Sequence, residues 1–114
     1  MNVSVVQIES SGLRFAVYEG DKEVAHAWLY LIRNDLHKRP FGLLEDLYVE
    51  EASRGKGLAT ELLANVIERA KALSCYKLIA TSRHERETVH TLYTNAGFTK
   101  WGHEFRIELS VEQS

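Results

Sequence analysis

Residues 43–63 read LLEDLYVEEASRGKGLATELL. Leu43 to Val49 is an apolar run of strand character, Arg54-Gly55-Lys56-Gly57 is a turn, and from Leu58 onward the apolar residues recur at helical spacing. Glycines at 55 and 57 carry no Cβ, so the backbone can approach a ligand closely and aim successive N–H groups at one point. The helix starting near Leu58 adds its own unpaired N–H groups and the positive end of its dipole, while Arg54 and Lys56 add formal charge. The stretch is therefore read as a strand, an anion-binding loop and a helix start, with a pyrophosphate as the natural guest.

Spacing decides among the ligand classes that glycine loops serve. The phosphate-binding loop of nucleotide hydrolases requires G-x-x-x-x-G-K-[ST], which the chain lacks. The dinucleotide fingerprint G-x-G-x-x-G is met only as Gly55-Lys56-Gly57-Leu58-Ala59-Thr60, with threonine at the last glycine and no acidic residue at the end of a following strand. The pattern that fits is [RQ]-x-x-G-x-[GA], spelled by Arg54 to Ala59.

Working outward, Leu58, Leu62, Leu63, Val66, Ile67, Ala70 and Leu73 form one apolar stripe, which predicts a helix over 58–73. Upstream, Val3–Ile8, Leu13–Tyr18 and Val24–Ile32 are β-rich runs separated by the turn signals Glu9–Gly12 and Glu19–Lys22. With Leu43–Val49 they predict four strands in meander order. Downstream, Lys77–Thr81 reads as a strand, Arg86–Ala96 as a helix stopped at Gly97, and Phe98–Leu109 as a strand. A strand–helix–strand unit of this kind makes a parallel pair. The expected fold is α/β (α+β), a mixed, mostly antiparallel sheet with helices packed against it, in one domain over residues 1–114.

Arg86-x-x-Val89-His90-x-Leu92-Tyr93-x-x-x-Gly97-Phe98 is a second motif, and with Arg54–Ala59 it resembles the GCN5-related N-acetyltransferase (GNAT) superfamily. The preceding LEDLYV looks most like the diamine (spermidine/spermine) branch. The resemblance implies acetyl-CoA as acyl donor, held by Arg54, Gly55, Lys56, Gly57, Leu58, Ala59, Thr60 and Arg86. Backbone N–H groups of Leu47, Tyr48 and Val49 would bind the acetyl oxygen and the pantetheine amides where this strand splays from its neighbour. Glu45 is then the general base, Asp46 an amine-binding residue beside it, and Tyr93 the phenol that protonates the departing sulfur. Alternation would turn Glu45 to the same face as Leu43 and Leu47. A plainer assignment of Glu45 and Asp46 is a pair of acids near an exposed strand end, and of Tyr93 an aromatic packing from helix to sheet. The family places one or two helices between its first two strands, where this chain offers only Glu9–Gly12, so the acceptor cleft is expected to be partly open.

Composition bounds the remaining classes. Fourteen basic and sixteen acidic residues give a net charge of −2, which favours neither nucleic acid nor an anionic membrane. No apolar run approaches the length of a membrane span, no signal sequence is evident, and Cys75 has no partner for an internal disulfide, so a cytoplasmic protein is expected. Cys75 itself is read as a small buried hydrophobe. HERETVH at 84–90 has Thr88 where a metal-binding H-E-x-x-H needs its second histidine, so no metal is expected. His90 is placed on an exposed helix face, with a contact to CoA as the alternative. The expected activity is transfer of an acetyl group from acetyl-CoA directly to a primary amine of a small molecule. A CoA-binding regulatory module and an acetyltransferase of a peptide or protein amine are the alternatives. An open front and exposed strand edges predict a homodimer, with Val3–Ile8, Trp28, Tyr30, Trp101 and Phe105 as interface material.

Overall fold

The computed structural model describes residues 1–82 and 87–110. Three antiparallel strands, β1 (Ser11–Glu19), β2 (Lys22–Ile32) and β3 (Phe41–Val49), are followed by a single 3-10 turn over Glu51–Ser53 and the helix α1 (Leu58–Ala72). A short strand β4 (Leu78–Ala80) and a second helix α2 (Glu87–Ala96) complete the order. The sheet runs β1-β2-β3-β4, with β4 parallel to β3, as the strand–helix–strand reading requires.

The β1–β2 hairpin closes through two residues, Gly20 and Asp21, with Gly20 at φ 65°. One sheet face carries the core: Ala25, Ala27 and Leu29 of β2 and Leu44 of β3 are buried against Leu62, Leu63, Val66 and Ala70 of α1. The alanines on β2 leave room for the helix to come close, and the four helical residues are the inner half of the predicted stripe.

Both helices end in the same local device. Ser74 (φ 62°) and Gly97 (φ 108°) take the left-handed conformation just past the last turn. Each donates its N–H three residues back, Ser74 to Lys71 and Gly97 to Thr94, and the next residue reaches five back, Cys75 to Ala70 and Phe98 to Tyr93. This is the Schellman pattern, and its usual apolar contact is present as Tyr93 against Phe98, ring centroids 5.3 Å apart. The Tyr-x-x-x-Gly-Phe spacing thus has a structural cause that needs no ligand. Cys75, brought in by the first cap, packs half-buried against the core, where burial raises its thiol pKa.

Two expected strands are absent. Residues 1–10 form no strand, and Val3, Val5, Val6 and Ile8 stand exposed. The two-residue hairpin at Gly20–Asp21 engages Leu13–Tyr18 with β2 instead, and adjacent Val5 and Val6 break the alternation a half-buried strand needs. Phe98–Leu109 is likewise not a strand: Phe98 is held by the helix cap, and residues 101–110 carry no regular structure. β-propensity acts through neighbours, and β4 pairs over only three residues. Among the described residues no helix precedes β3, and no helix is long and apolar enough to cross a membrane. His90 is half-buried rather than exposed.

Gly42 sets how closely β4 and the core approach β3. A Cβ built there would lie 2.9 Å from Leu78 Cδ1, 3.0 Å from Leu29 Cδ1 and 3.6 Å from Cys75 Sγ. Gly42→Ala is therefore expected to destabilise the fold by about 1–3 kcal/mol through overpacking, measured as a lower midpoint in urea with an unchanged slope.

Candidate active site

β3 changes character in its middle. Glu45 pairs with Trp28 and Tyr48 with His26, so Asp46 and Leu47 together oppose the single residue Ala27. Asp46 has φ 53°, a left-handed conformation that Asp tolerates better than most residues. The result is a β-bulge, which bends and twists the strand. It falls just after the last residue paired with β4: the parallel ladder joins Gly42, Leu43 and Leu44 to Leu78, Ile79 and Ala80 and stops there. From Glu45 onward, β3 is paired with β2 alone among the described residues.

The bulge also corrects one expectation. Glu45 shares a face with Leu43, since their partners Trp28 and Tyr30 are alternate residues of β2. Leu47, one residue past the inserted position, turns to the other face and packs against the core with Val49. Simple alternation had placed Glu45 and Leu47 together.

On the face opposite α1, three cross-strand rows lie side by side: Gly12–Tyr30–Leu43, Arg14–Trp28–Glu45 and Ala16–His26–Tyr48. Trp28 and Tyr30 stack with rings nearly parallel, 5° apart at 6.2 Å, and the Arg14 guanidinium lies 5.5 Å from the Trp28 ring centre. Arg14 is fixed by a two-pronged contact to Glu23, whose carboxyl it pulls down to about 2. At the row's other end Glu45 is half-buried. Burial pushes its carboxyl above the ordinary range, aided by the negative charges of Asp46 and Glu104 and opposed by Arg106.

The loop after β3 joins that strand to α1, the strand–turn–helix order expected from the sequence. Gly55 and Gly57 sit at φ 82° and 80°, and a Cβ on either would meet no protein atom within 4 Å. Gly57 is the N-cap of α1 and makes no side-chain cap hydrogen bond, so the first turn of the helix has no side-chain cap at its start. The two cations are both engaged within the protein. Arg54 Nε donates to Val49 O at 2.9 Å and its guanidinium lies 5.8 Å from the Tyr48 ring centre, while Lys56 contacts Glu19 at 3.7 Å. The Lys56 pair is exposed and weak, and so easily exchanged for a ligand's charge. Leu58, Ala59 and Thr60 form the first turn of α1. Tyr93 is half-buried against the core edge and Phe98. Arg86 lies outside the described residues.

Reading the sequence missed the residues that anchor this loop. Ser53, the one buried polar residue among those described, donates from Oγ to Glu19 Oε1 at 2.9 Å, and Lys22 Nζ reaches Glu50 Oε1 at 2.7 Å. Both contacts tie the loop to the β1–β2 turn, a long-range pairing with no signal in local spacing. A groove between β1 and α1, lined by Phe15, Ala16, Val17, Leu58, Glu61, Leu62 and Asn65, reaches the helix start but not Glu45.

Because positive φ penalises a side chain by about 1–2 kcal/mol and a valine would occupy the open space at Gly57, Gly57→Val should leave a folded protein and abolish any binding of CoA at this loop. Titration calorimetry beside circular dichroism checks both halves.

The chain matches the Acetyltransferase (GNAT) family model over residues 5–98. It is 33% identical over 66 residues to the "Probable glucosamine 6-phosphate N-acetyltransferase 2" of Oryza sativa subsp. japonica, covering 58% of this chain and 38% of that one. It is 30% identical over 101 residues to the uncharacterized N-acetyltransferase YdgE of Bacillus subtilis strain 168, covering 89% of this chain and 64% of that one. It thus spans less than two thirds of the length of either relative. The crystal structure of a Trypanosoma brucei acetyltransferase superposes with a TM-score of 0.75 at 25% identity, over 88% of this chain and 69% of the other. Motif, sheet order and family match agree, and the chain belongs to the GNAT acetyltransferase family.

Proposed function

We propose that this chain is a single-domain N-acetyltransferase, working in the cytoplasm as a homodimer, that moves an acetyl group from acetyl-CoA directly to a primary amine of a small molecule. The observation that carries the reading is the parting of β3 from β4 after Leu44, beside a carboxylate and ahead of an uncapped glycine loop. The residues fit the donor: the open cradle at Gly55 and Gly57 suits its pyrophosphate, and β3 beyond Leu44 has an edge free of β4. Acetyl-CoA supplies the activated thioester; the chain does the rest.

Arg54 to Thr60, with Arg86, hold the phosphates. N–H groups of Leu47, Tyr48 and Val49 that point away from β2 bond the pantetheine amides and the acetyl oxygen, and so stabilise the charge that develops on that oxygen. Glu45, directly or through one water, takes the proton that the amine loses as the N–C bond forms. Its raised pKa makes it a stronger base than an ordinary glutamate. The C–S bond breaks, and the Tyr93 hydroxyl gives its proton to the departing sulfur. Direct transfer is favoured over an acyl-enzyme because β3 carries no Cys or Ser and Cys75 is held as a thiol by burial.

Asp46 is assigned to the acceptor amine, although its left-handed backbone is a sufficient reason for an Asp there. The stacked Trp28–Tyr30 floor beside Glu45, with Arg14 at the far end of the row, suits an amine borne on a ring better than a linear diamine, whose distal ammonium would meet Arg14. That agrees with the amino-sugar substrate in the rice relative's name. The openness of this sheet face, where Tyr30 and Tyr48 are exposed, keeps a peptide amine as the second acceptor reading.

A thiol-release assay with acetyl-CoA against amino sugars, aminoglycosides, polyamines, amino acids and peptides tests the activity. On the best acceptor, Glu45→Gln and Tyr93→Phe should each lower turnover on the order of a hundredfold with little change in CoA affinity. In wild type the acid limb of kcat/KM should lie above the ordinary glutamate value of about 4.3, because the folded pKa is raised, and Glu45→Gln should erase it. Wild-type turnover in both variants would assign the proton transfers elsewhere. Absence of transfer to every acceptor, with CoA still bound, would leave a binding module.

A further inference from the structure

The two ends of β3 treat their cations differently. Around the glycine loop each is engaged: Lys22 with Glu50, Lys56 with Glu19, and Arg54 with Val49 O. At the start of the strand, Arg33, Lys38 and Arg39 of the β2–β3 connection and Lys77 ahead of β4 are all exposed, and none forms an ion pair among the described residues. Four cations against the one acid of residues 33–39, Asp35, give this group a net charge of +3. The backbone gathers them. Tyr76 N donates to Pro40 O at 3.0 Å and Gly42 N to Lys77 O at 2.9 Å, which ties the connection to the segment ahead of β4. Lys77 Nζ lies 5.0 Å from the Phe41 ring centre and 5.3 Å from that of Tyr76, and the His37 ring lies 4.2 Å from the Tyr76 ring. Arg33 acts electrostatically on the neighbouring Cys75 thiol. Asn34 Oδ1 accepts from Leu36 N at 2.8 Å, a turn that leaves Leu36 84% exposed within the cationic connection. Like charges gathered on one surface repel, and a leucine in water is unfavourable; one kind of partner relieves both.

We propose that Arg33, Leu36, Lys38, Arg39 and Lys77 form a docking surface for a short acidic peptide segment of a partner protein, one with an apolar side chain set among its carboxylates. Charge complementarity selects the acids, and exposed Leu36 selects the apolar side chain. A nucleic acid fits less well. Its phosphate backbone has no use for Leu36, and the rings of Phe41 and Tyr76 already carry Lys77 rather than standing open to bases. A long polyanion would also run onto the rest of the molecule, since a chain of net −2 with +3 gathered here is net −5 elsewhere. The surface lies at the far end of β3 from the glycine loop, roughly 26 Å away at a regular strand's rise, so a docked peptide leaves the donor loop free. It stands independently of the transferase reading, because docking requires neither acetyl-CoA nor Glu45.

Fluorescence anisotropy tests the surface with labelled probes of equal length: a peptide of aspartates and glutamates around one leucine, its asparagine and glutamine counterpart, a lysine counterpart, and oligouridylate. The acidic peptide should bind, more weakly as salt rises, and its amide counterpart should not. Lys38→Glu with Arg39→Glu should weaken the acidic peptide about tenfold or more and gain affinity for the lysine peptide. Lys38→Gln with Arg39→Gln, which removes charge without reversing it, should show part of the same loss. Leu36→Ser should weaken the acidic peptide about fivefold, as partial burial of a leucine implies, and leave its salt dependence unchanged. Circular dichroism checks the fold of each variant. An acidic peptide that fails to bind, or binding indifferent to the changes at Lys38 and Arg39, overturns the surface. Oligouridylate bound as tightly as the peptide, or Leu36→Ser without effect, overturns the peptide in favour of a general polyanion.

Discussion

One residue too many in β3 governs the candidate site. Asp46 and Leu47 oppose a single β2 residue, and the chain absorbs the surplus by taking Asp46 into the left-handed region at φ 53°. Without the bulge, Glu45 and Tyr48 would fall on opposite faces. With it, both stand on the face that carries Trp28 and His26, while Leu47 and Val49 turn to the core. Immediately before the bulge, the pairing with β4 ends after three residues. Backbone donors that a regular sheet would consume are thereby left on one edge, next to a carboxylate. Such irregularities recur beside active sites because they re-aim side chains and terminate pairing in one step.

A loop that offers its backbone to an anion must be held by something other than its own contacts. Two glycines at positive φ and a helix start without a side-chain cap give accessible N–H groups but little stability. The restraint comes from outside: Ser53 to Glu19, Lys56 to Glu19, Lys22 to Glu50, and Arg54 back to Val49. The turn of the β1–β2 hairpin therefore serves as the loop's abutment. Three of these contacts engage charges that a bound phosphate could recruit, and surface pairs of this kind exchange at little cost.

Most of the body was legible from residue pattern. The 58–73 stripe, the strands around 13–18, 24–32 and 43–49, and the parallel return at Leu78–Ala80 all rest on local periodicity joined to glycine placement. The spacing Tyr93-x-x-x-Gly97-Phe98 was legible too, and part of it is a helix cap rather than chemistry. The facing of Leu47 was not, because a bulge shifts a period of two without any marker except an Asp that also had a chemical reading. Val3–Ile8 and Phe98–Leu109 have strand composition, but a strand is a relation between two segments, and neither is paired with a strand among the described residues. The Ser53–Glu19 contact spans 34 positions and leaves no trace in spacing.

That the edge of β3 beyond Leu44 is the donor site is tested most directly by amide hydrogen exchange resolved along β3 and α1. The amides of Gly42 to Leu44 should be protected with or without ligand. Those of Leu47 to Val49 that point away from β2, and of Leu58 to Thr60, should exchange fast in the free protein and slow markedly when acetyl-CoA is added. Protection of both groups before any ligand is present, or exchange unaltered by saturating acetyl-CoA, would contradict it.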